Sequence, residues 1–226
     1  MPGWLALIGG AEWSEGCTFD ADLLAASGAP EVVVLPTAAA YEQPMAAINN
    51  ATGWFAGLGV SVRPLMVLNR RDAQNPAMVA ELHDARFIYL SGGSPMHLKS
   101  VIKDSPLWFA LAKAWHGGAV LAGSSAGAMA LCDPMIDPRG GAFMIGLGLV
   151  ENLAILPHAQ SWSTERLRRT LKMTSREVVV AAVDERTALL RSPEGTWTSA
   201  GEGSVTVHVG HRVGSLTDIP QPGGVD

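Results

Sequence analysis

Short apolar runs recur along the chain, separated by segments with helical periodicity. Residues 4–8, 32–35, 60–68, 86–90 and 119–122 read as strands. Between them Met45, Ile48, Phe55 and Leu58 fall at helical spacing, as do Leu107, Leu111 and Trp115. Ser94-Pro95 and Ser105-Pro106 each put an N-cap residue before Pro at the first helical position. Strand and helix in repetition predict an α/β fold, a mostly parallel central sheet with helices on both faces. The strands are continuous apolar runs rather than alternating ones, as burial on both faces requires. Ligands in such open sheets bind beyond the carboxyl ends of the strands, so the loops there carry the candidates for chemistry.

The last quarter changes character. Residues 178–183, 188–191, 196–199 and 205–209 read as short strands with tight turns such as Pro193-Glu194-Gly195, predicting a small antiparallel extension. No linker marks a second domain. The expected organisation is one domain over residues 1–217 and a loose tail over 218–226.

Composition narrows the function classes. Of 226 residues 48% are hydrophobic and 16% charged, which excludes a disordered chain. Net charge is −5 with no run of Lys and Arg, so nucleic acid is not an expected partner. The longest uncharged stretch, 43–62, holds Pro44, Asn49, Asn50 and Thr52 and does not read as a membrane span. Met-Pro-Gly-Trp-Leu at the start has no basic leader, and Cys17 and Cys132 read as two reduced thiols. A cytoplasmic location is expected. No Cys or His cluster has ligand spacing, so no metal or other cofactor is expected.

The most informative stretch is Val120-Leu-Ala-Gly-Ser-Ser-Ala-Gly-Ala-Met-Ala. Gly123 and Gly127 frame Ser125 as G-x-S-x-G, after a strand and before a helix-competent run. Small neighbours let the chain turn sharply and hold a strained nucleophile at a helix start, where partial positive charge favours developing negative charge. Ser124 lacks the frame, because Ala122 stands two residues before it. A Gly/Ser-rich turn joining strand to helix satisfies the same pattern without chemistry.

A nucleophilic serine needs a base and a group that orients it. His83 and His116 sit in amphipathic stretches, His97 lies just inside the Ser94-Pro95 helix, and His208 and His211 belong to the terminal strand and its turn. His158 differs, since it follows an apolar run and Pro157 and precedes a polar loop, the place for a base at a strand end. Asp184 and Glu185 directly follow another strand, and either can serve as the acid. The order Ser, His, acid argues against the α/β-hydrolases, which use Ser, acid, His. In Leu90-Ser-Gly-Gly-Ser-Pro95, Gly92 and Gly93 expose backbone N–H groups suited to an oxyanion hole completed by Ala126.

With these pieces the sequence resembles the cyanophycinase and dipeptidase E group of serine peptidases, peptidase family S51, which shares the class I glutamine amidotransferase fold. The matching stretches are Leu7-Ile-Gly-Gly-Ala-Glu12, Val32-Val-Val-Leu-Pro-Thr-Ala38, Tyr89-Leu-Ser-Gly-Gly93, Ala122-Gly-Ser-Ser-Ala-Gly-Ala128, Gly146-Leu-Gly-Leu149, His158 with Arg166-Leu-Arg-Arg-Thr-Leu171, and Val183-Asp-Glu-Arg-Thr-Ala188. The resemblance implies Ser125 as nucleophile, His158 as base and Glu185 as orienting acid, with Asp184 in reserve, and Gly92, Gly93 and Ala126 as oxyanion donors. It implies an acyl-enzyme route on aspartyl or β-aspartyl peptides. One of Arg166, Arg168 and Arg169 can pair with a substrate carboxylate, and Trp162 can wall the pocket. Glu12 either lines the cleft or lies in a surface loop. A homodimer is one admissible assembly. The pattern departs at Leu156-Pro157-His158-Ala159, where relatives carry Asp-Gln-His-Phe, and at Ser91-Gly-Gly, where they carry three glycines. The competing expectation is a small-ligand-binding or regulatory protein on the same scaffold, its triad vestigial.

Overall fold

The computed structural model describes residues 1–139, 141–210 and 212–223. Among these residues a seven-stranded sheet forms the centre. Its parallel part consists of β1 (Leu5–Ile8), β2 (Glu31–Leu35), β3 (Ser61–Pro64), β4 (Phe87–Leu90) and β5 (Val120–Ser124), in the spatial order β1-β5-β4-β2-β3.

Alternation along each strand divides the core in two. Ala6, Ile8, Val32, Val34, Phe87, Tyr89, Val120 and Ala122 face helices α1 (Phe19–Ser27) and α2 (Pro44–Gly57), packing on Phe19, Leu23, Ile48, Ala51 and Phe55. Leu5, Leu7, Val33, Leu35, Ile88, Leu90 and Leu121 face the other way. They pack on α4 (Pro95–Ile102) and α5 (Pro106–His116), which follow the short α3 (Pro76–Ala80). Both faces are therefore apolar, which is why the strands read as unbroken runs. The two predicted N-caps form: Ser94 accepts from the His97 N–H and Ser105 from the Trp108 N–H.

One expectation needs correction and two are refined. The run over 60–68 yields only β3. That strand lies at the sheet edge, and Pro64 brings no N–H to continue a ladder, although Leu65 and Val67 remain buried. The extra C-terminal strands are present and divide between two sheets. After helix α6 (Ala126–Leu131) come two short ladders, β6 (Cys132–Asp133) with β9 (Val150–Glu151) and β7 (Met135–Ile136) with β8 (Phe143–Met144). Then β10 (Leu153–Leu156) precedes helix α7 (Thr164–Met173) and pairs parallel with β11 (Val179–Val183). β12 (Thr187–Arg191) and β13 (Trp197–Gly201) return to the main sheet, β12 antiparallel to β1 and β13 antiparallel to β12. β14 (Val205–Val209) and β15 (Arg212–Val213) complete a separate four-stranded sheet with β10 and β11.

Within the expected tail, residues 219–221 make contacts with the domain. Ile219 is buried, the Trp197 indole donates to the Pro220 carbonyl at 3.2 Å, and Gln221 accepts from Arg191 Nε at 2.8 Å. Residues 224–226 of that expectation, and His211, lie outside the described residues. No helix among the described residues is long and apolar enough to cross a membrane.

Candidate active site

Three neighbouring strands, β1, β5 and β4, end side by side and present the candidate groups. At the end of β5, Ser125 takes φ 47° and ψ −103°, a conformation that non-glycine residues avoid. Its N–H donates to the Ile8 carbonyl at 2.8 Å, and its own carbonyl accepts from Met129 as α6 begins. Both framing glycines are sterically required. A Cβ at Gly127 would press into the Leu90 backbone, and one at Gly123 would lie 2.7 Å from the Gly127 carbonyl carbon. The helix that follows has only six residues, so its dipole contributes less than the motif alone implies.

Ser125 Oγ lies 2.9 Å from His158 Nε2, and His158 Nδ1 lies 2.7 Å from Glu185 Oε1. His158 follows β10 in the left-handed region at φ 51° and ψ 41°. It is held there by its N–H on the Gly9 carbonyl at 2.8 Å, while its own carbonyl accepts from Ser161. Glu185 follows β11, and its N–H donates to Gln160 Oε1 at 3.0 Å. The Gly10 carbonyl accepts from Arg186 N–H at 2.8 Å. One glycine pair after β1 thus ties down both the base loop and the acid loop. Asp184 is turned elsewhere, its Oδ2 accepting from the Ser204 N–H at 3.0 Å and hydroxyl at 2.8 Å. The two acids that the sequence leaves open are separated by geometry.

Among the described residues the other histidines are not at this site. His97 Nε2 lies 2.9 Å from the Leu68 carbonyl and its ring packs edge-on against Tyr41. His83 and His116 are exposed, and His208 sits within β14.

Of the three expected oxyanion donors, the Gly93 and Ala126 N–H groups have no acceptor among the described residues. The Gly92 N–H is taken by Glu12 Oε1 at 2.8 Å. Glu12 Oε2 accepts from the Ser124 hydroxyl at 2.7 Å. Glu12 therefore joins all three strand ends, a role the sequence reading left open between cleft and surface loop. The signals available were its place just past the first strand and the Gly-Gly pair before it. Gln160 and Gly10 were likewise missed.

Arg166, Arg169 and Trp162, the residues offered for substrate binding, make contacts of their own on and around α7. Arg166 donates to the Pro138 carbonyl at 2.6 Å, with its Cζ 3.8 Å from the centre of the Trp162 ring. Arg169 pairs with Glu165 at 3.2 Å, and Trp162 packs against the small sheet's core. Their face of α7 buries only Thr170, so the basic stripe is largely solvated. A cleft that adjoins Gly92 holds about 470 Å³ and is lined by Glu12, Trp13, Glu42, Gln43, Asn50 and Ser91, among others.

Comparison with known proteins agrees with this architecture. A cyanophycinase from Synechococcus elongatus is 30% identical over 166 residues, covering 68% of this chain and 51% of its own length. One from Nostoc sp. is 25% identical over 158 residues, covering 65% and 52%. The chain spans about half the length of the curated relatives it matches. A crystal structure of a peptidase from an acI-B1 Actinobacterium superposes with a TM-score of 0.83 at 29% identity, covering 93% of this chain and 91% of that one. The profile of Peptidase family S51 matches residues 5–196, most of the chain, and on that match the chain belongs to peptidase family S51.

Proposed function

We propose that this chain is a serine peptidase acting through an acyl-enzyme on Ser125. The observation that carries the reading is the continuous chain of contacts from Ser125 Oγ through His158 to Glu185, at 2.9 and 2.7 Å, on a strained elbow. Those are the distances at which a base removes a hydroxyl proton and a carboxylate fixes the base's tautomer.

In the proposed cycle Ser125 Oγ attacks the scissile carbonyl carbon while His158 Nε2 takes its proton. The carbonyl π pair moves to oxygen, where the Gly93 and Ala126 N–H groups are free to donate. His158 returns the proton to the leaving amine as the C–N bond breaks, and an ester remains on Ser125. Water then attacks that ester, its proton passing to His158; the C–Oγ bond breaks as His158 returns the proton to Ser125 Oγ, and the acid product leaves. Glu185 holds the imidazole and stabilises its cationic form throughout. The proposed substrate is a small peptide or isopeptide, with an aspartyl or β-aspartyl linkage as the class to try first. Two free thiols, Cys17 and Cys132, are in keeping with a reducing cytoplasm.

A fluorophosphonate probe tests the reading. The wild type is expected to be labelled and Ser125→Ala not. Equal labelling of both overturns Ser125 as nucleophile, and no labelling of either favours the vestigial binding scaffold.

A further inference from the structure

We propose that Glu12 is a positioning residue for acyl transfer: its carboxylate holds the Gly92–Gly93 loop so that the Gly93 N–H, and not that of Gly92, meets the carbonyl oxygen as it gains charge. This role rests on the acyl-enzyme reading above and assigns what prepares the oxyanion hole of that same site.

Backbone hydrogen bonds fix the loop after β4 on both sides of one open donor. The Ser91 N–H donates to the Leu35 carbonyl at 3.2 Å, and the Ser94 N–H to the Ala38 carbonyl at 2.8 Å. The Gly92 N–H donates to Glu12 Oε1 at 2.8 Å, and Pro95 has no N–H. Within 91–95, Gly93 alone keeps an N–H without an acceptor among the described residues, and Gly93 is exposed. An N–H held open between committed neighbours suits an incoming oxyanion. Two of the three groups that hold the loop are main-chain carbonyls. The third is the Glu12 side chain, 80 positions away in sequence.

The other arm of the carboxylate fixes the loop relative to the nucleophile. Glu12 Oε2 accepts from the Ser124 hydroxyl at 2.7 Å, and Ser124 is wholly buried at the end of β5, one residue before Ser125. A Cβ built on Gly92 would stand 3.7 Å from Ser125 Cβ, so loop and elbow are close neighbours. One carboxylate thus bridges the two segments that supply Gly93 and Ala126. Ser124, which lacks the glycine frame of a nucleophile, becomes the anchor of that bridge.

The segment that delivers Glu12 is itself held in an unfavourable conformation. Ala11 at φ 52° and Trp13 at φ 58° flank it, both in a region that L side chains rarely enter. The Ala11 carbonyl accepts from the Ser14 hydroxyl at 2.6 Å, and the Trp13 ring lies 5.1 Å from that of Tyr89. Such conformations persist where the surrounding structure over-determines them. A donor already aimed needs no reorganisation when charge develops. Loss of Glu12 should therefore slow acylation and leave ground-state binding nearly unchanged.

Four variants test the role by fluorophosphonate labelling, in which Ser125 Oγ forms the bond to phosphorus, fluoride leaves and His158 takes the hydroxyl proton. Glu12→Gln keeps the reach of the side chain, since its Oε1 can accept from Gly92 while its Nε2 donates to the Ser124 hydroxyl oxygen. Glu12→Asp keeps the charge but is one methylene shorter. Glu12→Ala removes the bridge, and Ser124→Ala only its anchor. Glu12→Ala is expected to lower the limiting labelling rate by about 10²-fold, the scale of one oxyanion donor. The half-saturating probe concentration should move less than about threefold. Glu12→Asp and Ser124→Ala should each lose about tenfold, and Glu12→Gln should stay within about threefold of wild type. Hydrogen exchange adds a readout that needs no reaction: the Gly92 amide should be protected, the Gly93 amide not, and Glu12→Ala should release Gly92. Should Glu12→Ala fail to fold, Glu12→Asp, Glu12→Gln and Ser124→Ala decide the matter. Wild-type limiting rates in Glu12→Ala or in both Glu12→Asp and Ser124→Ala, a loss in Glu12→Gln that Glu12→Asp does not share, an effect confined to the half-saturating concentration, or Gly92 protection that survives Glu12→Ala each overturn the role and leave Ser125 as nucleophile. Labelling that Ser125→Ala does not abolish, or no labelling of the wild type, overturns the acyl-enzyme reading and this role with it.

Discussion

The imidazole of His158 lies against the α-carbon of Gly10. A Cβ built there would stand 2.7 Å from Nδ1 and 2.8 Å from Nε2, well inside van der Waals contact. Gly10 also holds φ 121°, a backbone region that L side chains rarely enter. The base therefore occupies space that only the absence of a side chain provides, and the same glycine's carbonyl binds the Arg186 N–H beside Glu185.

Gly10→Ala is accordingly expected to displace the imidazole before it unfolds the chain. A misplacement of about 1 Å costs roughly 10²-fold in rate, and the backbone strain costs about 1–3 kcal/mol of stability. Fluorophosphonate labelling rates and denaturant midpoints measure both. Wild-type labelling in a folded Gly10→Ala would show that the contact does not position His158.

Glu185 and Asp184 should respond oppositely to amide substitution. Glu185→Gln leaves the shape but removes the charge that orients and stabilises the imidazolium, so turnover should fall by about 10³–10⁴-fold, the scale seen when serine triads lose that carboxylate. Asp184→Asn should change turnover less than about threefold and lower stability by about 1 kcal/mol, because Asp184 holds the turn at Ser204. Steady-state kinetics with both variants decides it, and the reversed pattern would move the orienting role to Asp184.

The parallel core was legible because its signals are local. Apolar runs gave the strands, and Ser94-Pro95 and Ser105-Pro106 gave two helix starts whose caps form. Strand partners were not legible. β11 and β12 are similar apolar runs three residues apart, yet the chain changes sheets between them. The crossover is possible because Gly9 admits the Asp184 carbonyl at close range and Arg186 adopts φ 52°. Such pairing depends on contacts distant in sequence, which periodicity does not encode. Ser125 and His158 stand out in the sequence because each follows a strand in a recognisable frame, whereas that frame leaves Asp184 and Glu185 open and only the resemblance favours Glu185. Glu12 has no frame of its own, and its partners lie 80 and 112 positions away. A basic stripe on a helix reads the same whether it faces substrate or solvent, so periodicity alone does not separate the two for Arg166 and Arg169.

The two placements are testable. Arg169→Ala removes an exposed pair with Glu165, and such pairs contribute little. Turnover is expected to stay within about twofold of wild type. An increase in KM of tenfold or more for acidic substrates alone would place Arg169 at the substrate site.

Asp20 makes stability depend on pH in a direction opposite to most carboxylates. It is wholly buried on α1, with Oδ2 accepting from the Trp54 indole at 2.9 Å and Oδ1 without a partner among the described residues. Burial, reinforced by the Glu12 charge and opposed by the Trp54 bond, raises its pKa from 3.8 to about 7. Between those values the folded protein keeps a proton that the unfolded chain has released. Stability from this group is complete below the unfolded value and falls as pH rises, with a total loss of up to about 4 kcal/mol once pH exceeds 7. Asn at this position still accepts from Trp54 and never ionises. Asp20→Asn should therefore match the wild type near pH 4 and exceed it increasingly towards pH 8, measured by urea unfolding across that range. A stability difference that stays flat with pH would mean that Asp20 is ionised in the folded protein and that its burial is compensated by groups other than Trp54.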